Sequence, residues 1–252
     1  MGHIFDIKSA ELYKAWQRSP DGISIDKLSN ELIIRLLKPK KGERVLDVGC
    51  GSGNHLLLFY RLGLDTTGID ASPCMLDIAK SRLGEKTSLY IGSAEDLSFE
   101  DNEFDIVTII NTLEFLDDPL ATLREAGRVA KDRVFLGFFN GFSFGCICKK
   151  FFAMFNDSIF RKTHLLTLWE VRNYAGRAYG DASIEWGSAQ PVSSFFRKYA
   201  AEDDSLSLLQ ANPFGYFLGM TIKMIYTLKP EEIKAEERLR KGAETLIGSP
   251  GF

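Results

Sequence analysis

The chain has only four cysteines and three histidines in 252 residues, and neither set is spaced for a structural role. Cys50, Cys74, Cys146 and Cys148 lack the paired spacing of a disulfide-stapled fold, which points to a reduced, cytoplasmic setting. Cys146 and Cys148 stand two apart, but a zinc site needs four ligands and no second pair accompanies them, so no metal is expected. No apolar run approaches the roughly 18–20 residues that cross a bilayer, so stable membrane insertion is not expected. The opening Met-Gly-His-Ile-Phe-Asp lacks the charged-then-apolar order of a secretory signal. A formal net charge of −3 gives no chain-wide attraction for nucleic acid or an anionic surface. Internal repeats and low-complexity tracts are missing as well.

What is present has ordinary globular composition, 45% hydrophobic and 26% charged, at a length that suits one large α/β domain with additions. Residues 45–53 read Val-Leu-Asp-Val-Gly-Cys-Gly-Ser-Gly. A short buried strand feeds a glycine turn, and the periodic Leu56-Leu57-Leu58-Phe59-Leu62 that follows predicts a helix. That unit is the nucleotide-binding start of an open α/β sheet, where Gly49, Gly51 and Gly53 let backbone approach a ligand. Strands are predicted near 43–49, 65–70, 87–92, 104–111 and 132–139, and helices near 53–62, 73–83 and 119–130. This alternation predicts a mostly parallel, Rossmann-like sheet with helices on both faces. Ahead of it, Tyr13 and Trp16 share a helical face, Ser19-Pro20-Asp21-Gly22 reads as a turn, and Leu28 to Leu37 form an amphipathic helix ending before Pro39.

The glycine spacing bears on the ligand. A dinucleotide fold uses Gly-x-Gly-x-x-Gly with pyrophosphate on the helix N-terminus, whereas this chain has Gly-x-Gly-x-Gly with Asp47 two residues before the first glycine. A carboxylate there repels phosphate and suits a cation such as S-adenosylmethionine, which carries an ammonium and a sulfonium. A plain glycine turn in another Rossmann-like protein is the alternative. Asp70 ends the second strand 17 residues past Gly53, where a carboxylate matches a ribose diol or else begins the next helix. Ala71 follows it, and Met75 either lays its thioether on an adenine face or packs in the core. Ser93-Ala94-Glu95-Asp96-Leu97 after the third strand can present an N–H and an acceptor to adenine, though Asp96 reads equally as exposed. Ile110, Asn111 and Thr112 close the fourth strand, whose carboxyl end faces the ligand crevice.

Together these segments resemble the class I S-adenosylmethionine-dependent methyltransferases. Residues 45–53 are similar to motif I, 93–99 to the adenine-binding turn, and 124–129 to a helix stretch that serves packing. The likeness is to the small-molecule kind akin to ubiquinone and menaquinone C-methylases, close over roughly residues 10–140 and looser to 228. It implies a seven-stranded sheet whose last strand is antiparallel, with strands 183–189 and 216–227 as the closing pair. It also implies small lid elements, including Tyr13 and Trp16 over the substrate. Implied organisation is a single domain over 1–252: a helical lid over 1–42, a cofactor-binding core over 43–140, an insert or lid over 141–180, a C-terminal hairpin over 181–228 and a tail helix over 229–252. The cofactor is then S-adenosylmethionine, leaving as S-adenosylhomocysteine, held by Asp47, Gly49, Cys50, Gly51, Gly53, Asp70, Ala71, Met75, Ser93, Ala94, Glu95 and Asn111. The partner is a small, partly apolar methyl acceptor, on a monomer or homodimer.

Catalytic bases are scarce. The family often places His where this chain has Glu114 or Phe115, so a histidine base there is excluded. Glu114 at the crevice mouth and His164 in the lid are the weak candidates. His55 beside the glycine turn reads as structural or as touching cofactor. Asn212-Pro213-Phe214-Gly215 is similar to an amino-methylation motif of DNA methyltransferases but lies in the wrong place and lacks the second proline, so it reads as a turn. The stretch 141–162 interleaves six phenylalanines with Lys149, Lys150, Arg161 and Lys162; it packs as core or lid, covers an apolar substrate, or rests on a membrane. A cofactor-binding protein without turnover is the rival reading, and a nucleic-acid methyltransferase is disfavoured by charge.

Overall fold

A computed structural model describes residues 4–143, 145–147, 163–190 and 209–224. His3, Phe144, Cys148, most of the phenylalanine-rich stretch and the predicted tail helix lie outside the described residues.

The described strands form one sheet. In chain order they are β1 Arg44–Val48, β2 Asp65–Asp70, β3 Ser88–Ile91, β4 Phe104–Ile110, β5 Ala130–Phe139, β6 Ile184–Ala189, β7 Leu209–Gln210 and β8 Phe217–Lys223. Their spatial order is β3-β2-β1-β4-β5-β8-β6-β7. The first five run parallel, with Val45 opposite Thr66 on one side and Ile106 on the other. β8 inserts antiparallel between β5 and β6, pairing Gly219 with both Gly137 and Gly187. Seven strands therefore take the predicted arrangement, and the two-residue β7 adds an edge that sequence periodicity does not show.

The helices are α1 Ile7–Gln17, α2 Pro20–Leu37, α3 Asn54–Arg61, α4 Pro73–Leu83, α5 Pro119–Val129 and α6 Leu168–Tyr179. Burial on both sheet faces explains why β4, the second half of β5 and β8 read as near-continuous apolar runs, whereas the edge strand β3 is largely exposed. Leu46, Val107, Val134 and Met220 pack beneath α5 and α6, while Val45, Ile106, Phe135 and Phe217 pack beneath α2 and α3.

Ser19-Pro20-Asp21-Gly22 is not a free turn, as the sequence reading has it, but the start of α2. Ser19 caps the helix by accepting the Gly22 N–H at 3.1 Å, and Pro20 occupies the first turn, where its missing N–H costs nothing. A side chain at Gly22 would sit 2.1 Å from the Trp16 carbonyl, so glycine permits the tight α1–α2 corner. Leu32, Ile33, Leu36 and Leu37 are buried under this helix, each contributing roughly 1.5–3 kcal/mol. α2 thus covers the sheet, and within residues 1–42 it is Ile4, Phe5 and Tyr13 that reach the crevice. Arg133 fixes the end of α2: its Nε donates to the Leu37 carbonyl at 3.0 Å and its guanidinium pairs with Glu43 at 2.8 Å.

Candidate active site

The carboxyl ends of β1, β2, β3, β4 and β5 converge on a cavity of about 360 Å³. It lies where the strand order reverses between β1 and β4, the position at which open α/β sheets bind ligands. Its volume falls within the roughly 300–1,000 Å³ of small-molecule sites.

The glycine turn forms one wall. Gly49 and Cys50 donate their N–H groups to the Ile69 carbonyl at 2.8 and 3.0 Å, tying the turn to β2. All three glycines have positive φ, which a side chain rarely tolerates, yet their surroundings differ. At Gly49 an added Cβ would lie 2.3 Å from Thr112. At Gly51 it would point to Met75 across the cavity wall, at 3.1 Å. At Gly53 it would strike Leu83 of α4 at 2.7 Å, so the third glycine serves helix packing and does not line the cavity. α3 then begins at Asn54 with no side-chain cap, and Asn54 and His55 of its first turn line the wall.

Asp70 stands beside this turn. Its Oδ2 accepts the Gly51 N–H at 2.8 Å and its Oδ1 accepts the Ser72 N–H at 2.8 Å. A carboxylate has about four acceptor positions, so both oxygens keep capacity toward the cavity. Burial raises its pKa, opposed by those two N–H bonds. Helix α4 is capped by Ser72, not by Asp70, which frees the acid from the capping role weighed above. Ala71, Met75, Ser93, Ala94 and Glu95 continue the wall. The Glu95 Oε1 also accepts the Asp118 N–H at 3.2 Å, bracing the start of α5, and Asp96 is exposed.

Asp47 is placed differently from the expectation. It is buried behind the wall, where its Oδ1 accepts the Thr108 hydroxyl at 2.7 Å, and it does not line the cavity. Burial pushes its pKa up to about 7. His55 lines the cavity and is held neutral, its pKa lowered by burial to about 4.

The other end of the cavity is aromatic. Phe5 packs edge-on against Phe115 at 5.1 Å and Tyr13 at 6.0 Å, and Phe139 completes this wall. Trp16 is one layer back, between Tyr13 and Phe139, at 5.8 Å from each ring. The segment carrying Phe5 is fastened down by the Ser72 hydroxyl, which donates to the Phe5 carbonyl at 2.6 Å. Sequence reading missed Phe5, Phe115 and Phe139, since no local spacing marks them. Asn111 offers the one orphaned acceptor on this wall among the described residues: Oδ1 is buried without a partner, on a residue held at φ 54°.

Neither candidate base lines the cavity. Glu114 is buried behind Phe139, whose N–H it accepts on Oε1 at 2.8 Å. His164 is exposed, and its backbone N–H binds the Glu114 carbonyl at 2.8 Å.

Residues 46–138 match the family described as "Methyltransferase domain". This segment is similar to that family. The match bears out the resemblance drawn from the glycine turn, and the matched segment spans the cavity walls from β1 to β5. Demethylmenaquinone methyltransferase of Staphylococcus aureus is 34% identical over 131 residues, covering 50% of this chain and 49% of the relative. The chain thus spans about half the length of the curated relatives it matches. Among solved structures, an S-adenosylmethionine-dependent methyltransferase of Thermotoga maritima superposes with TM-score 0.62 at 18% identity, over 84% of this chain and 94% of its own. Magnesium protoporphyrin IX methyltransferase of Synechocystis, solved with bound S-adenosylhomocysteine, gives 0.64 at 14% identity, over 88% and 96%. At these identities the structural likeness shows the shared fold.

Proposed function

We propose that the protein is an S-adenosylmethionine-dependent methyltransferase acting on a small, partly apolar acceptor. The observation that carries this is the split character of one cavity. One end offers a glycine backbone and the two-oxygen acceptor of Asp70; the other is walled by Phe5, Tyr13, Phe115 and Phe139. The first end fits an adenosyl group: Asp70 can take a ribose diol, and Met75 and the 93–95 turn can sandwich adenine, while on the opposite, aromatic wall the unpartnered Asn111 Oδ1 can accept from an ammonium. Asp47, one layer behind, contributes through its field when ionised. S-adenosylmethionine supplies a methyl group already activated on a sulfonium and leaves as S-adenosylhomocysteine.

The chain's own contribution is then alignment and water exclusion, and alignment alone accounts for up to roughly 7–11 kcal/mol of a barrier. The aromatic wall suits a flat or apolar acceptor, in keeping with the name of the Staphylococcus aureus relative. Tyr13 is a hydrogen-bond donor there and not a base, because burial pushes its phenol up to about 12.

Calorimetry with S-adenosylhomocysteine tests the cofactor assignment: micromolar binding is expected, and no heat from well-folded protein would overturn it. Release of S-adenosylhomocysteine during an acceptor screen then separates an enzyme from a protein that binds cofactor without turnover.

A further inference from the structure

The described residues that line the cavity include no lysine or arginine, and His55 is the only side chain among them that can become cationic. It sits in the first turn of α3, directly after the glycine turn, and is 9% exposed. No described group hydrogen-bonds its ring, and α3 starts without a side-chain cap. A buried imidazole normally uses its N–H donor, so a partner for this one is missing from the protein itself. We propose, on the S-adenosylmethionine reading above, that His55 receives the carboxylate of the cofactor's amino-acid tail and takes up a proton from solvent as it does so.

Charge and position select a carboxylate. The ligand's ammonium and sulfonium meet acceptors here, in the Asn111 Oδ1 and in Asp47 one layer back. Its carboxylate meets no fixed cation on the described walls; Arg82 stands behind them, with Nη1 3.5 Å from the Ser52 hydroxyl. Asp70 accepts the Gly51 N–H at 2.8 Å, so a ribose on Asp70 leaves the tail beside the glycine turn that leads into α3. A helix N-terminus favours an anion and disfavours a lone cation, so His55 stays neutral by itself and gains from a carboxylate. Burial lowers its pKa to about 4, and no charged group contributes to that shift. The titratable groups around the same space are Tyr13 of α1, Cys50 of the turn, Asp70 of β2 and Glu95 after β3, with Asp47 of β1 and Arg82 of α4 behind. Burial keeps the Tyr13 phenol and the Cys50 thiol protonated. A carboxylate against the ring favours the imidazolium and returns its pKa to the ordinary value of about 6.5 or above.

Calorimetry of the full chain with two ligands tests this. Decarboxylated S-adenosylmethionine keeps the adenosyl, sulfonium and ammonium groups and lacks only the carboxylate. The ratio of its dissociation constant to that of S-adenosylmethionine therefore isolates this contact and cancels the titration of Asp47 and Asp70. The protonated ring binds the carboxylate better, so the advantage is lost as pH rises through the bound pKa. With pKa values of about 4 without ligand and about 6.5 or more with it, the ratio should fall roughly tenfold from about pH 5.5 to about pH 7.5. At about pH 5.5, titrations in buffers of different ionisation heat should find S-adenosylmethionine taking up roughly 0.8 of a proton more than its decarboxylated form. His55→Gln keeps a side-chain donor and never ionises; it should flatten the ratio and leave the affinity for the decarboxylated ligand within about twofold, which also verifies its fold. A ratio flat with pH in the unaltered protein would overturn the proposal. So would a ratio still pH-dependent in His55→Gln, which would assign the carboxylate to another group such as Arg82. Both outcomes require binding, whereas no heat with either ligand would overturn the cofactor reading and this proposal with it.

Discussion

Replacing Glu114 with glutamine should make the protein more stable at high pH and leave it nearly unchanged at low pH. Glu114 is buried, with Oε1 on the Phe139 N–H and Oε2 without a partner among the described residues. Burial raises its pKa from 4.5 to about 7, against the opposing effect of that N–H bond. The folded state therefore holds this proton in a range where the unfolded chain has released it. Stability contributed by the group falls as pH rises from about 4.5, and the loss is complete above about 7. At 1.36 kcal/mol per pKa unit, the full loss is roughly 3 kcal/mol. Glutamine keeps the oxygen that accepts the Phe139 N–H and never ionises. Glu114→Gln should thus gain up to roughly 3 kcal/mol at pH 8 and about nothing at pH 5. Asp47 titrates in the same direction but is common to both proteins and cancels in the difference. Urea unfolding followed by tryptophan fluorescence at the two pH values measures this as a shift in midpoint at constant slope. An equal difference at both pH values would show that Glu114 is not buried as a proton-holding acid.

Other perturbations bear on the cavity and its frame. Asp70→Ala removes the acceptor for the Gly51 and Ser72 N–H groups and should weaken S-adenosylhomocysteine binding by roughly tenfold or more in calorimetry; unchanged affinity would detach Asp70 from the ligand. Gly49→Ala places a Cβ 2.3 Å from Thr112 at φ +71°, so it should cost on the order of 2 kcal/mol in denaturant unfolding, whereas Gly42→Ala meets no atom within 4 Å and should cost less. Asn140→Ala deletes three hydrogen bonds at a buried position and should lower stability by about 2–4 kcal/mol in thermal unfolding, with Asn140→Asp also destabilising because it loses both N–H donations.

The glycine-turn end of the cavity was legible because it is local in sequence. Gly49, Gly51 and Asp70 sit on two consecutive strand–helix turns, and each advertises a backbone requirement: no Cβ, positive φ, or an acid at a strand's end. Strand and helix order followed from apolar periodicity for the same reason. Asp47 shows the limit of that reading. Its position in the motif suggests a cavity-facing acid, but in a strand the side-chain direction alternates, and the sheet aims Asp47 at Thr108 of β4. Gly53 likewise looks like its two neighbours in sequence, and only the packing of Leu83 against it separates helix contact from ligand contact. Ser19-Pro20 suits a turn, but a serine before proline is equally the signature of a helix start, and here it caps α2.

The aromatic end could not be read in the same way, for a topological reason. Its wall takes Phe5 and Tyr13 from before the sheet, Asn111 and Phe115 from the end of β4, Phe139 from the end of β5 and Thr163 from beyond it. These positions share no spacing, and each residue alone is indistinguishable from core. What unites them is that β4 and β5 are neighbours and that the Ser72 hydroxyl pins the chain at Phe5 across them. The result is a wall with one phenol held protonated, one orphaned amide oxygen, and no ionised side chain among the described residues at that end. On the proposed function, the described part of this wall supplies no base for a neutral hydroxyl. It favours an acceptor whose nucleophilic atom is already electron-rich, such as an enolate carbon, a thiolate or a neutral amine. A pH–rate profile set by the acceptor's own ionisation is therefore expected, and one that moves with Glu114→Gln while the acceptor stays the same would show that the buried acid reaches the reacting atoms after all.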